Sequence, residues 1–231
     1  MANYTPSYFT QESIGSDDRT ISELIEKTFF VNLSPTVILS KRAFDIIFSL
    51  TVIILLLSWI VPMISFLIFI DSKGTIFYTQ NRTGLYGRKF KIIKFRSMLS
   101  NADELDMQHS QGKTDPRITR VGQYLRMTRF DELPQFFNVL LGDMSVVGPR
   151  PLADYDSELL LDIIPKKYLR SLSIRPGITS IGQIRMGYVD NRNEMVLRLR
   201  YDLVYLRKLS FWGDIKIILS TVLVMFKGHG K

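Results

Sequence analysis

Asp131 and Glu132 are adjacent carboxylates placed just ahead of an apolar run, Leu133 to Leu141, with Arg126 and Arg129 before them and Arg150 in a Gly-Pro-Arg-Pro turn beyond. Acids at a helix start, ringed by arginine, point to phosphate chemistry. An N-capping Asp followed by a solvated Glu would also account for the pair. If Asp131 caps the helix and Glu132 begins it, the positive helix end and the arginines hold both acids ionised, which suits a nucleophile or metal ligand rather than a general acid. An ionised carboxylate attacks phosphorus poorly unless a divalent cation and guanidinium groups neutralise the target. Such chemistry therefore needs a carboxylate nucleophile, a second carboxylate for a metal, and Arg or Lys for the phosphates. All three are present.

Composition narrows the remaining choices. The chain of 231 residues has no cysteine, which excludes disulfides, thiolate zinc sites and cysteine nucleophiles. His109 and His229 are its two imidazoles, so a metal would be held mainly by carboxylates, and Mg2+ fits that better than zinc. A net charge of +8 and a pI near 9.6 call for an anionic partner, which could be nucleic acid, acidic lipid or a phosphorylated substrate. No groove-reading or base-stacking pattern accompanies the charge, so no nucleic acid is expected.

The elements that must position these residues can be read in order. Residues 1–40 form an N-terminal appendage of unknown role, polar at first, with a T-x-x-E capping box at Thr20 and Glu23 opening a helix to about Phe30. Ala43 to Ile70 is almost continuously apolar and, at about 1.5 Å per residue, long enough to cross a bilayer core of roughly 30 Å. A simple span is one reading. Basic residues at both ends (Lys41 and Arg42, then Lys73, Arg82, Arg88 and Lys89) draw both to the same face, and Pro62 frees a backbone carbonyl within the run, with the Ser58 hydroxyl at hand to satisfy opened backbone. These features favour a re-entrant helix broken near Ser58 and Pro62.

Thr75 to Gln80 and Lys89 to Phe95 read as a β-hairpin interrupted by Asn81, Gly84 and Gly87. Helices are expected over Ser100 to Met107, Thr119 to Thr128, Leu133 to Leu141 (with Pro134 in its first turn and Gly142 ending it), Tyr155 to Ile164, Pro165 to Leu172 and Asn193 to Leu206, the last as a charged amphipathic helix. Arg175 to Tyr188 reads as an ordered loop with a short strand. Phe211 to Phe226 reads as a helix on the membrane or against the core, and Tyr201, Tyr205, Phe211 and Trp212 suit either an interfacial or a core position. The fold class is α+β: a mostly helical, membrane-associated catalytic domain over residues 41–231 with a re-entrant membrane helix at 43–70, a small hairpin and interfacial helices.

Four stretches, KRAFDIIFSL at Lys41 to Leu50, DSKGTIFYTQNRTGLYGRKFKIIKFRSM at Asp71 to Met98, DPRITRVGQYLR at Asp115 to Arg126 and DELPQFFNVLLGDMSVVGPRP at Asp131 to Pro151, together resemble the bacterial sugar transferases, the monotopic phosphoglycosyl transferases. The resemblance runs from about residue 41 to 227. It implies an enzyme of the bacterial inner membrane, working on the cytoplasmic face, that moves a sugar phosphate from a UDP-sugar to polyprenyl phosphate and releases UMP, initiating surface glycan synthesis. It implies Asp131 as the nucleophile of a covalent phosphosugar intermediate and Glu132 as magnesium ligand or proton-transfer assistant. Lys94, Arg126 and Arg150, then Arg96, Arg117 and Arg120, are the implied phosphate contacts. Two departures from the family pattern stand out: Ser58 is followed by Trp59 rather than proline, and Thr179 by Ser180 rather than glycine. The competing reading is a non-enzymatic basic scaffold on the membrane surface, which gives no reason for acids among the arginines. The sequence leaves the oligomeric state open, a homo-oligomer included.

Overall fold

The computed structural model describes residues 33–99, 115–187, 189 and 191–226. The expected helices at Thr20 to Phe30 and Ser100 to Met107, together with His109 and His229, lie outside them. The described chain is mostly helical, with two two-stranded sheets.

It opens on one long apolar helical segment: α1 (Pro35–Val52), a π turn (Ile53–Leu57) and α2 (Ser58–Asp71). The Ser34 hydroxyl caps α1 by accepting from the Val37 amide, and Pro35 stands where its missing donor does no harm. The break expected at Ser58 and Pro62 does not occur as a break, because the backbone remains helical through both. The irregularity lies one turn earlier. In the π turn the Ser58 amide bonds back to the Ile53 carbonyl, and the Ser58 hydroxyl donates to the bypassed Ile54 carbonyl at 2.7 Å. Satisfied in this way, the widened turn lets the chain pass without unwinding.

From about residue 41 onward one face of this segment packs on the body of the protein. Phe48, Val52 and Leu57 join the core formed by Phe136, Val139, Val146 and Val147, while Ile64 and Ile68 pack against Phe95 and Leu125. The opposite face exposes Ile47, Ile54, Leu55, Trp59, Phe66 and Phe69. A bare apolar row of that size is too costly to leave in water.

β1 (Phe77–Thr83) and β2 (Lys89–Phe95) form an antiparallel hairpin in which Tyr78 faces Lys94 and Arg82 faces Phe90. β1 extends past the expected stop at Asn81, because alternation continues there: Tyr78, Gln80 and Arg82 point inward while Thr79 and Asn81 face out. A second, parallel pair, β3 (Ser145–Val147) with β4 (Gly177–Thr179), was expected only as a strand in the later loop. Around these lie α3 (Arg120–Thr128), α4 (Gln135–Leu141), α5 (Asp154–Ile163), α6 (Pro165–Ser171), α7 (Ile181–Met186), α8 (Arg192–Arg207) and α9 (Phe211–Phe226). The interfacial aromatics divide: Tyr205 is core, whereas Phe211 and Trp212 are exposed.

Candidate active site

The dyad is not on a helix N-cap. After α3 the chain turns at Arg129, whose φ of 59° is left-handed, and Phe130–Glu132 form one 3-10 turn leading through Leu133 and Pro134 into α4. Asp131 therefore sits inside a tight turn and Glu132 points to the interior. What places a cation opposite is Asn138 of α4: its amide donates to the Lys91 carbonyl at 2.8 Å and accepts from the Ile93 amide at 2.9 Å, so it takes the place of a strand partner along β2. The hairpin is thereby fixed against the helix that carries the dyad. Lys94, next along β2, reaches Glu132 Oε1 at 2.8 Å, and Arg150 donates to the same oxygen at 3.1 Å.

The two acids are shifted in opposite directions, a difference the expectation that both are held ionised did not contain. Burial would raise the Glu132 carboxyl, but Lys94 and Arg150 outweigh it and hold the group well below the usual carboxylate range. Asp131 makes no ion pair among the described residues; burial and then the Glu132 charge raise it to about 6, against the pull of Lys94, Arg126 and Arg150. Glu132 is thus a fixed anion. Asp131 is a carboxylate of raised basicity, still mostly ionised at neutral pH.

The expected phosphate contacts divide. Lys94, Arg126 and Arg150 all act on the dyad. Arg96 is buried and spends its guanidinium on the Ser72 carbonyl at 2.6 Å and the Lys73 carbonyl at 3.0 Å, fastening the end of α2 to the hairpin. Arg117 is buried and bound to Asp115 through Nε and Nη2, at 2.9 and 2.7 Å, which locks its own loop. Arg120 is exposed in the first turn of α3. Arg96 and Arg117 are thus engaged within the fold, whereas Arg120 faces solvent.

Sequence reasoning missed Arg198 and Asp202 on α8, which was read as simply amphipathic. Both are buried, in phase with Met195, Leu199 and Leu206. Asp202 accepts from the Gly182 amide at 2.9 Å and the Arg150 amide at 3.4 Å, so it ties the Gly-Pro-Arg-Pro turn to α7. Gly182 is required there, because a Cβ would lie 2.7 Å from the Arg198 carbonyl oxygen. A charged i, i+4 pair on the same stripe as apolar residues was the available signal.

For magnesium the test is the donor set. Among the described residues no group of three or more acidic, His or Cys side chains surrounds a common point, so an all-protein cage is absent. A pair of carboxylates beside a phosphate site still fits Mg2+, which commonly takes one or two protein carboxylates and completes its shell with phosphate and water. Both ion pairs of Glu132 fall on Oε1, so its other oxygen and Asp131 are the fitting donors.

The sequence matches the model of the family described as bacterial sugar transferase over residues 36–228. It is 40% identical over 228 residues to the UDP-glucose:undecaprenyl-phosphate glucose-1-phosphate transferase of Klebsiella pneumoniae, a match covering 97% of this chain and 48% of that protein. It is 36% identical over 202 residues to the UDP-N-acetylgalactosamine-undecaprenyl-phosphate N-acetylgalactosaminephosphotransferase of Aeromonas hydrophila, covering 85% of this chain and 46% of the relative. It is 38% identical over 186 residues to the exopolysaccharide production protein PSS of Rhizobium leguminosarum bv. phaseoli, covering 79% of this chain and 92% of that protein. The chain spans about half the length of the first two and nearly all of the third. A match this broad means that the chain belongs to the bacterial sugar transferase family.

Proposed function

We propose that this chain transfers a sugar phosphate from a UDP-sugar to polyprenyl phosphate in two steps at Asp131. The observation that carries the reading is the contrast within the dyad: a half-buried carboxylate without an ion pair among the described residues, next to one clamped by Lys94 and Arg150. The printed names of the relatives supply the substrate class. They name different sugars, glucose and N-acetylgalactosamine, so the sugar is not carried over.

In the first step an Asp131 oxygen attacks the sugar-bearing phosphorus. A bond from that oxygen to phosphorus forms, the bridging bond breaks, and UMP leaves with the electron pair. In the second, an oxygen of the lipid phosphate attacks the same phosphorus and the bond to Asp131 breaks, restoring the carboxylate. Both nucleophiles are already anionic, so neither step needs a general acid or base. Glu132, held ionised, suits cation binding and not proton transfer. Mg2+ bound by Asp131 and Glu132 would supply charge neutralisation on the diphosphate. Lys94, Arg126 and Arg150 provide fixed positive charge around the reacting phosphate, positioned before substrate arrives.

The exposed apolar row supports a membrane location, and the basic residues flanking it support the cytoplasmic face. Its head is held by Lys41 on Asp214 at 2.6 Å and Arg42 on the Val139 carbonyl at 2.6 Å, and its tail by Asp71 on the Val121 amide at 3.0 Å. Both ends thus pack on one body, which re-entrance requires, while the backbone between them stays helical. The test is nucleotide release. Purified chain given a panel of UDP-sugars with Mg2+ and polyprenyl phosphate should liberate UMP from at least one; no nucleoside monophosphate from any nucleotide sugar would refute the reading.

A further inference from the structure

Beside Arg150 lies a cleft between the end of β1, the Gly-Pro-Arg-Pro turn and α8, whose polar lining includes Thr83, Arg150, Arg198 and Asp202 and whose remaining walls are mainly apolar. Arg198 is 9% exposed, yet within the described residues it donates no hydrogen bond and makes no ion pair within 4 Å. Arg82, on the same hairpin face as Lys94, donates through Nη2 to Gln80 at 2.6 Å while its buried Nε has no partner. Asp202 acts on Arg198 through its charge but gives it no hydrogen bond, its oxygens accepting from the backbone amides of Gly182 and Arg150. Burial and then the nearby Arg150 charge pull both Arg82 and Arg198 down to about 10, outweighing the opposite pull of Asp156 on both, of Glu132 on Arg82 and of Asp202 on Arg198. Burying a guanidinium without a partner is unfavourable unless something binds it.

We propose that Arg82 and Arg198, with Arg150 between them and the dyad, form a second phosphate site that is used twice in each turnover. The inference rests on the two-step reading above. In-line displacement puts the leaving oxygen opposite the attacking one. UMP therefore departs from the side of phosphorus opposite Asp131. In the second step Asp131 is itself the leaving group, so the lipid phosphate must attack from that same side. The phosphate of UMP and the phosphate of the lipid thus occupy one place in succession, and the two guanidinium groups mark it. In this arrangement a nucleotide that has not left blocks the lipid, which keeps the two half-reactions in order.

The experiment uses the full chain in nanodiscs and two variants, Arg198→Gln and Arg198→Lys. One arm measures exchange of labelled UMP into UDP-sugar without lipid. A second follows loss of the preformed phosphosugar adduct on adding polyprenyl phosphate, with and without UMP. A third titrates UMP and inorganic phosphate into the unreactive Asp131→Asn background, a readout independent of turnover. Arg198→Gln should slow both half-reactions about tenfold or more by similar factors and weaken UMP binding comparably. Arg198→Lys should restore most of that loss, and UMP should compete with the lipid phosphate in the wild type. Loss confined to one half-reaction, or UMP binding unchanged in Arg198→Gln, overturns the shared site, as does absence of competition. A wild type that forms no adduct would instead refute the two-step reading, while UMP binding in the third arm would still report on the phosphate site.

Discussion

At the head of the apolar helix, buried charge is closed by partners: Lys41 meets Asp214, which also accepts from the Tyr205 hydroxyl at 2.7 Å, and Asp45 accepts from the Ser145 hydroxyl at 3.0 Å and the Val146 amide at 2.9 Å. Around Arg150 the rule is reversed, with Asp131, Arg82 and Arg198 buried or half-buried and incompletely partnered. Polar groups that hold a fold together are satisfied within it, because each unmet one costs stability. Groups left open at comparable depth mark where something else binds. The difference separates Arg117, bound through two nitrogens to Asp115, from Lys94 and Arg150, which share one oxygen of Glu132.

Substitutions can break or sharpen that contrast. The largest effect is expected from Asp131→Asn, which removes the nucleophile and should lower turnover by at least ~10³-fold. The same variant should be more stable than wild type at pH 7 to 8. Asp131 is raised to about 6 in the fold, so its favourable contribution is fully present below its ordinary value near 3.8 and is lost as pH rises through 6. The asparagine escapes that loss, worth on the order of 2 kcal/mol, and its advantage should vanish below about pH 4 in melting experiments. In wild type, kcat/KM should fall below about pH 6 as the nucleophile protonates.

Glu132→Gln should come next, with turnover down roughly 10–100-fold from lost positioning of Lys94 and Arg150. Its informative feature is the residual pH profile. Without the Glu132 charge beside it, Asp131 loses a group that raises it and faces Lys94 and Arg150 alone, so the acid limb should move to lower pH. An unmoved or higher limb would mean that the contrast within the dyad is misassigned.

The smallest catalytic effect is expected in the closed region. Asp45→Ala leaves the buried Val146 amide unsatisfied and should cost about 1–3 kcal/mol of stability in detergent. The single-turnover rate of surviving folded protein should stay within about twofold.

Much of the site was legible in the sequence because its parts are local. Asp131, Glu132 and Arg126 lie within one stretch, and Gly142 ends α4 at φ 95° as a glycine stop should. Lys94 and Arg150 come from more distant segments but sit in residue patterns that carry the family resemblance. What was not legible depends on distant contacts. β3 and β4 are three residues each, and their pairing joins Ser145 to Gly177, a relation that no local periodicity encodes. Arg198 and Asp202 looked like surface charge because a helix carrying four arginines normally is solvated; only packing against the Gly-Pro-Arg-Pro turn and α7 turns that face inward. The helix expected to break near Ser58 and Pro62 stays helical through both, and its irregularity is the π turn at Ile53–Leu57, which the position of Pro62 did not reveal.

The most direct test of the account is to locate the covalent intermediate. Wild-type chain quenched with its UDP-sugar in the absence of lipid, then digested and sequenced by mass spectrometry, should carry one phosphosugar on the Asp131 side chain and lose it when polyprenyl phosphate is added before the quench. A phosphosugar on Glu132 or any other residue, or full turnover with no modified peptide at any quench time, would contradict it.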